Sequence, residues 1–272
     1  MPSAKPYTSK NPNSLSPPAG RAGEGLKPFT SDLQINRIGL IEYESACSIQ
    51  ENLVQERIAG TIPDTLLLLE HPPVITLGTG THAENLLASE EHLRAAGIDL
   101  HSTNRGGDIT YHGPGQLVGY PILNLLEHRP DVHWYVRSLE EVLIRLLAHY
   151  YLPGERIAGR TGVWVRGKKI AAIGVHVKRW VTSHGFALNV DPDLSHFGHI
   201  IPCGIADAGV TSMAAEGRTL PMLEVEERLT ENFQQVFGFA RTHLWDKDAA
   251  AELVWGEDHG LSGMEEQSLL RG

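Results

Sequence analysis

Between residues 65 and 190 the apolar residues come in short runs, broken by His71-Pro72-Pro73, Gly78-Thr79-Gly80 and Gly113-Pro114-Gly115, and the last three runs follow one another with only turns between them. A helix needs about ten or more residues at a 3.6 period, so these pieces are strand material. Val163 to Val165, a turn at Arg166-Gly167, Lys169 to Val177, a turn around Lys178 to Trp180, and Val181 to Val190 predict an antiparallel meander. Thr65 to Leu69, Val74 to Leu77, Ile109 to Tyr111 and Leu117 to Leu125 predict further strands. Helical spacing occurs at Tyr43 to Ile58, with Ala46, Ile49, Leu53, Val54 and Ile58, at Trp134 to Tyr150, and at Met222 to Phe237. Strands and helices come in blocks without an internal repeat, which predicts an α+β fold with a mixed, mainly antiparallel sheet packed with helices.

The two ends differ from this middle. Six of the 16 prolines fall in the first 30 residues, among Ser, Asn and Gly and without apolar periodicity, so residues 1–30 are expected to form a disordered tail, with a transit peptide as the alternative. Residues 245–272 carry seven acidic and two basic side chains, half of the net charge of −10, and residues 246–272 are expected to be a loosely ordered acidic tail. One catalytic domain is expected over residues 31–245. No apolar run approaches the roughly 20 residues of a spanning helix, and the acidic balance argues against a broad nucleic-acid face. The expectation is a soluble, cytoplasmic protein. Two cysteines 156 positions apart write neither a disulfide framework nor a Cys-rich zinc site, and the histidines show no ligand spacing, so neither metal nor other cofactor is expected.

Three features carry chemistry. Arg105, Gly106, Gly107, Asp108, Ile109, Thr110, Tyr111 and His112, followed by Gly113-Pro114-Gly115-Gln116, pack four glycines among polar side chains; this is either a ligand cradle or a glycine-rich connection between strands, and it lacks the order of a Walker or dinucleotide loop. In the strand from Lys168 to Val177, period two puts Lys169 on the apolar face with Ala171, Ile173, Val175 and Val177. A lysine there either finds a partner or snorkels out at the strand end. Cys203 lies in Ile201-Pro202-Cys203-Gly204, a fixed turn, as a buried hydrophobe or as a nucleophile activated by a nearby cation; Cys47, on a helix, reads as packing. From Arg156 to Val190 there is no acidic residue but seven basic ones, Arg156, Arg160, Arg166, Lys168, Lys169, Lys178 and Arg179. They read as a docking face for an acidic protein, against the alternative of a solvated strand edge.

Six motifs in order, Glu70 to Gly78, Arg105 to Gln116, Gly159 to Val165, Lys169 to Gly174, His184 to Asn189 and Pro202 to Ile205, closely resemble the lipoyl(octanoyl) transferase family over about residues 35 to 240. The resemblance implies the catalytic core shared with biotin protein ligases and lipoate ligases. It also implies transfer of an octanoyl group from acyl carrier protein to a lysine of lipoyl domains, those of 2-oxoacid dehydrogenases and the glycine cleavage H protein. By this resemblance Cys203 forms the acyl thioester and Lys169 lowers its pKa and moves protons. Substrate-binding stretches fall on Arg105 to His112, on Ala172, Ile173 and Gly174, and on Gly185, Phe186 and Ala187. The small residues there would leave room for an aliphatic chain or allow close strand packing. Backbone N–H groups at Cys203-Gly204 or Gly106-Gly107, with His112 as an added donor, are the expected oxyanion site. In many members an Arg follows Thr-Leu-Gly; here Thr79 does, so that contact is not carried over. The alternatives are an ATP-dependent lipoate or octanoate ligase, which needs no cysteine, and a non-catalytic scaffold that binds acyl carrier or lipoyl domains.

Overall fold

Four leucines in a row, Leu66 to Leu69, are completely buried, which a strand can achieve only in the middle of a sheet covered on both faces. The computed structural model describes residues 32–202 and 209–245. The elements, in chain order, are β1 (Asp32–Leu40), α1 (Tyr43–Ala59), β2 (Asp64–Glu70), β3 (Val74–Leu77), α2 (Glu90–Ala95), β4 (Asp99–Ser102), β5 (Ile109–His112), β6 (Gln116–Ile122), α3 (Val132–His149), β7 (Gly154–Ile157), β8 (Arg160–Val165), β9 (Lys168–Lys178), β10 (Val181–Asn189), α4 (Met222–Phe237) and β11 (Arg241–Leu244). Eight strands form one sheet in the order β11-β1-β2-β6-β10-β9-β8-β7, and β4-β3-β5 form a second, small sheet. In the large sheet β1 runs parallel to β2 and β11, and every other pair is antiparallel. The fold is thus the expected α+β class with a mixed, mainly antiparallel sheet, and β8-β9-β10 is the meander.

Leu66 and Leu68 face a core with Leu139, Val142, Leu143 and Leu146 of α3 and Val225 and Leu229 of α4. Leu67 and Leu69 face Ala46, Ile49, Leu53 and Val54 of α1. Burying each leucine stabilises by about 2 kcal/mol. Asp131 opens α3 by accepting the Trp134 N–H at 3.0 Å, and Gly60 closes α1 at φ +77. Among the described residues no helix is long and apolar enough to cross a membrane.

The period-two expectation for Lys169 fails at a β-bulge. Val163 pairs with Ala171 but Trp164 pairs with Lys169, so Ile170 is an extra residue. Ile170 and Ala171 both join the core under α3. Lys169 is turned to the opposite face with its cross-strand partner Trp164. The seven basic residues do not form one face either. Arg156 is bound by Glu140 and Glu141, both at 2.9 Å, Arg166 pairs with Glu216, and Lys169 is buried. Lys168 and Lys178 stand at opposite ends of β9, ten residues or about 33 Å apart.

Candidate active site

β9 and β10 pair Ala172 with Ala187 and Gly174 with Gly185, leaving a strip of small residues on the α1 side of the sheet. The loop after β4 lies across it. Gly106 N–H donates to Val175 O at 2.9 Å, and the peptides of Gly78, Thr79 and Gly80 donate to Asp108 O, Arg105 O and Gly107 O at 3.3, 3.0 and 3.0 Å. A side chain at Gly174 would place its Cβ 2.8 Å from Gly106 O, so this glycine is what lets the loop come down. Between loop and strands is a cleft with a free volume of about 40 Å3.

Every expected binding residue lines that cleft except Gly106, whose peptide is committed to Val175, and Tyr111, whose hydroxyl lies 2.7 Å from His196 Nδ1 in the core of the small sheet. Arg105 is buried and holds β3: its guanidinium donates to Thr76 O at 2.8 Å and Thr76 Oγ1 at 2.9 Å. The Asp108 carboxylate accepts the Ile109 and His82 N–H groups at 2.8 and 3.3 Å and so shapes the loop. Tyr43, Tyr120 and His184 complete the lining; Tyr43 and Tyr120 lie outside the sequence motifs, and His184 opens one of them without having been given a binding role. The signal available for His184 was its position directly before Gly185-Phe186-Ala187.

Three buried histidines meet here. His112 Nδ1 lies 2.7 Å from Gln116 Oε1, and Gln116 Nε2 in turn donates to Tyr111 O at 3.1 Å and Asn189 Oδ1 at 2.9 Å. With the amide so oriented, the hydrogen-bond network assigns the proton of His112 to Nδ1 and leaves Nε2 an acceptor. Burial, with His71 and Arg105 adding repulsion, brings its pKa down to about 3, so it is neutral at pH 7. This overturns its expected role as an oxyanion donor, as the Val175 bond does for Gly106 N–H. Burial likewise brings His71 and His184 down to about 4, His184 with further repulsion from Arg105. His184 has φ +54, uncommon outside glycine and adverse by roughly 1 to 2 kcal/mol. Among the described residues no group of three or more His, Cys, Asp or Glu is placed to hold a metal.

Lys169 is 6% exposed, so it does not snorkel out. Its ammonium lies 5.1 Å from the Trp164 ring centroid. Its N–H donates to Gly209 O and its carbonyl accepts Thr211 N–H, both at 2.9 Å, where the chain returning along residues 209–211 takes the place beside β9 that β10 has left. Cys203 lies outside the described residues. Ile201, two residues before it, donates its N–H to Asn85 O at 2.8 Å. Cys47 lines a separate groove, and burial, with Glu51 and Glu44 adding to it, pushes its thiol up to about 11.

The family description that matches residues 42–234 is the lipoyl protein ligase A/B catalytic domain. Octanoyltransferase of Solibacter usitatus is 57% identical over 205 residues, covering 75% of this chain and 93% of that one. The chain belongs to the octanoyltransferase family. It is accordingly an acyltransferase. Another octanoyltransferase, from Chloroflexus aggregans, is 52% identical over 209 residues, covering 75% of this chain and 95% of that protein. Among solved structures, a bipartite lipoate protein ligase of Thermoplasma acidophilum has a TM-score of 0.62 at 16% identity over 83% of this chain and 91% of that one. A lipoate-protein ligase A bound with ATP has a TM-score of 0.63 at 15% identity, over 83% and 93%. At such identities these structures establish that the octanoyltransferase family member described here has the lipoate-ligase fold.

Proposed function

We propose that this octanoyltransferase takes the octanoyl group from a thioester on acyl carrier protein and delivers it to a lysine of a lipoyl domain through an acyl thioester on Cys203. The observation that carries this reading is the pairing of the chain at Gly209 with the peptide of Lys169. Cys203 is six residues from Gly209 and so within about 20 Å of it, on a segment that ends at the peptide of Lys169, whose ammonium is buried. That ammonium favours the thiolate. The thiolate attacks the acyl carbon, the carbon–sulfur bond to the carrier breaks, and the leaving thiol takes the proton of Lys169. The neutral amine of Lys169 then accepts the proton of the incoming lysine as its nitrogen attacks the acyl carbon and the Cys203 thiolate leaves.

From Lys169 the strip through Ala172 and Gly174 leads the acyl chain into the cleft under the Arg105 to Asp108 loop. The free volume there is about 40 Å3, so an octanoyl chain enters by lifting the loop, whose Gly106 N–H donates to Val175 O of β9. Lipoyl domains of 2-oxoacid dehydrogenases and the glycine cleavage H protein are the acceptors this reading names, in the cytoplasm. Intact-mass spectrometry after mixing with octanoyl carrier protein in the absence of ATP tests it. A hydroxylamine-labile octanoyl adduct that is lost in Cys203→Ser is expected; transfer that occurs only with ATP would replace this reading with an acyl-adenylating ligase.

A further inference from the structure

A groove of about 840 Å3 runs between α1, Thr103 and Asn104 after β4, and His176 and Lys178 at the end of β9. Among the described residues that line this groove or the acyl cleft, only His184 lines both. Its backbone explains why. His184 pairs with Val175, which packs on the α3 core, and a regular pleat would send residue 184 to that same side. The positive φ turns it instead to the α1 side. There its Nε2 donates to Asn104 Oδ1 at 2.7 Å, its peptide N–H donates to Gln50 Oε1 at 2.7 Å, and its ring stands edge-on to Tyr120 at 6.0 Å between centroids.

The imidazole is therefore a fixed partition between a narrow, mostly apolar cleft and a wide groove that carries Gln50, Glu51, Asn104 and Lys178. It sits level with Val175, six residues or about 20 Å along β9 from Lys169. We propose that His184 is the stop that sets the length of the acyl chain, a specificity-determining residue whose removal would open the cleft into the groove. This rests on the octanoyl-transfer reading above. A longer chain in the intact protein meets the ring; with the ring gone, its end passes into the groove and the barrier to it falls.

The test is a competition in which the full-length protein is given octanoyl, dodecanoyl and tetradecanoyl carrier protein together, with the products on a lipoyl domain resolved by mass. His184→Gly removes the ring and relieves the positive φ, and His184→Asn shortens the side chain while keeping a residue tolerated there. Both are expected to lower the octanoyl-to-dodecanoyl product ratio, about tenfold for glycine and less for asparagine. An unchanged ratio in whichever variant folds, with octanoyl transfer intact, overturns His184 as the stop and leaves the transferase reading standing. Failure of the unsubstituted protein to transfer any acyl group takes down both.

Discussion

The Lys169 ammonium and the Trp164 ring are cross-strand partners, 5.1 Å apart and both buried, and they meet only because one extra residue, Ile170, displaces the register between β8 and β9. Val163 and Val165 on either side of Trp164 belong to the core under α3. The bulge thus turns Lys169 away from Ile170 and Ala171 in the core and aims it at the face where the cleft lies. Over an indole face the ammonium gains a favourable aromatic partner.

Replacing Trp164 should therefore act through Lys169. Trp164→Leu is expected to destabilise by about 3 kcal/mol, through lost burial and the lost cation–π contact, and to lower kcat for octanoyl transfer about tenfold. Trp164→Phe retains a ring face and should keep kcat within about threefold. Urea unfolding and single-turnover transfer measure the two effects. Equal kcat losses in both variants would show that the ring does not position the lysine.

The two cysteines should differ sharply as nucleophiles. A thiol near 11 is almost wholly protonated at pH 7, so Cys47 is inert there. Iodoacetamide at pH 7 is expected to label Cys203 alone, faster than a free cysteine, and Lys169→Ala should slow that labelling about tenfold. Peptide mapping against time reads both. If Lys169→Ala alkylates at the unsubstituted rate, Lys169 has no part in activating the thiol.

Acid should unfold this protein through its histidines. His71, His112 and His184 have folded-state pKa values of about 4, 3 and 4, below the ordinary value of 6.5. As pH falls below 6.5 the unfolded chain takes up protons that the folded one refuses, so stability declines until about pH 4 to 3, where the folded state protonates too. Each group contributes on the order of 3 kcal/mol across that window, with coupling among them because His71 and His112 are ring neighbours at 5.8 Å. Urea titrations at pH 7.5, 6.5, 5.5 and 4.5 should show the decline, and His71→Gln, which has a donor and an acceptor but does not titrate, should flatten it. A constant midpoint from pH 7.5 to 4.5 would contradict the burial argument.

What was legible in the sequence depended on how far each signal reached. The meander could be read because its turns and period-two runs are local. β11 could not, because Arg241 to Leu244 is a mostly exposed strand whose place is fixed by backbone pairing with β1, more than 200 residues away in the chain. The burial of Lys169 was weighed, but its face was mistaken, since counting by twos cannot see a bulge at Ile170. The binding stretches came from ordered motifs, one of which begins at His184, while Tyr43 and Tyr120 reach the cleft from α1 and from β6 and leave no local pattern; the positive φ that turns His184 into the cleft leaves none either. The tautomer of His112 likewise needed Gln116, Tyr111 and Asn189 in place.

Two paired glycines give the sharpest separation between cleft and scaffold. A Cβ at Gly174 would sit 2.8 Å from Gly106 O and 3.1 Å from Arg105 Cδ, atoms of the loop that must lift for an acyl chain. A Cβ at Gly185 would sit 2.2 Å from Gly119 O and 2.6 Å from Pro121 Cδ, inside the large sheet. Gly174→Ala is expected to cost only about 1 kcal/mol, because the loop gives way, while octanoyl transfer falls about tenfold as the methyl occupies the cleft. Gly185→Ala is expected to cost about 3 kcal/mol or more, because β6 and β10 cannot part without breaking their ladder. Thermal unfolding and transfer assays on both variants check the contrast. Equal destabilisation would mean that the loop is as firmly seated as a strand, and the acyl group would then need another way in.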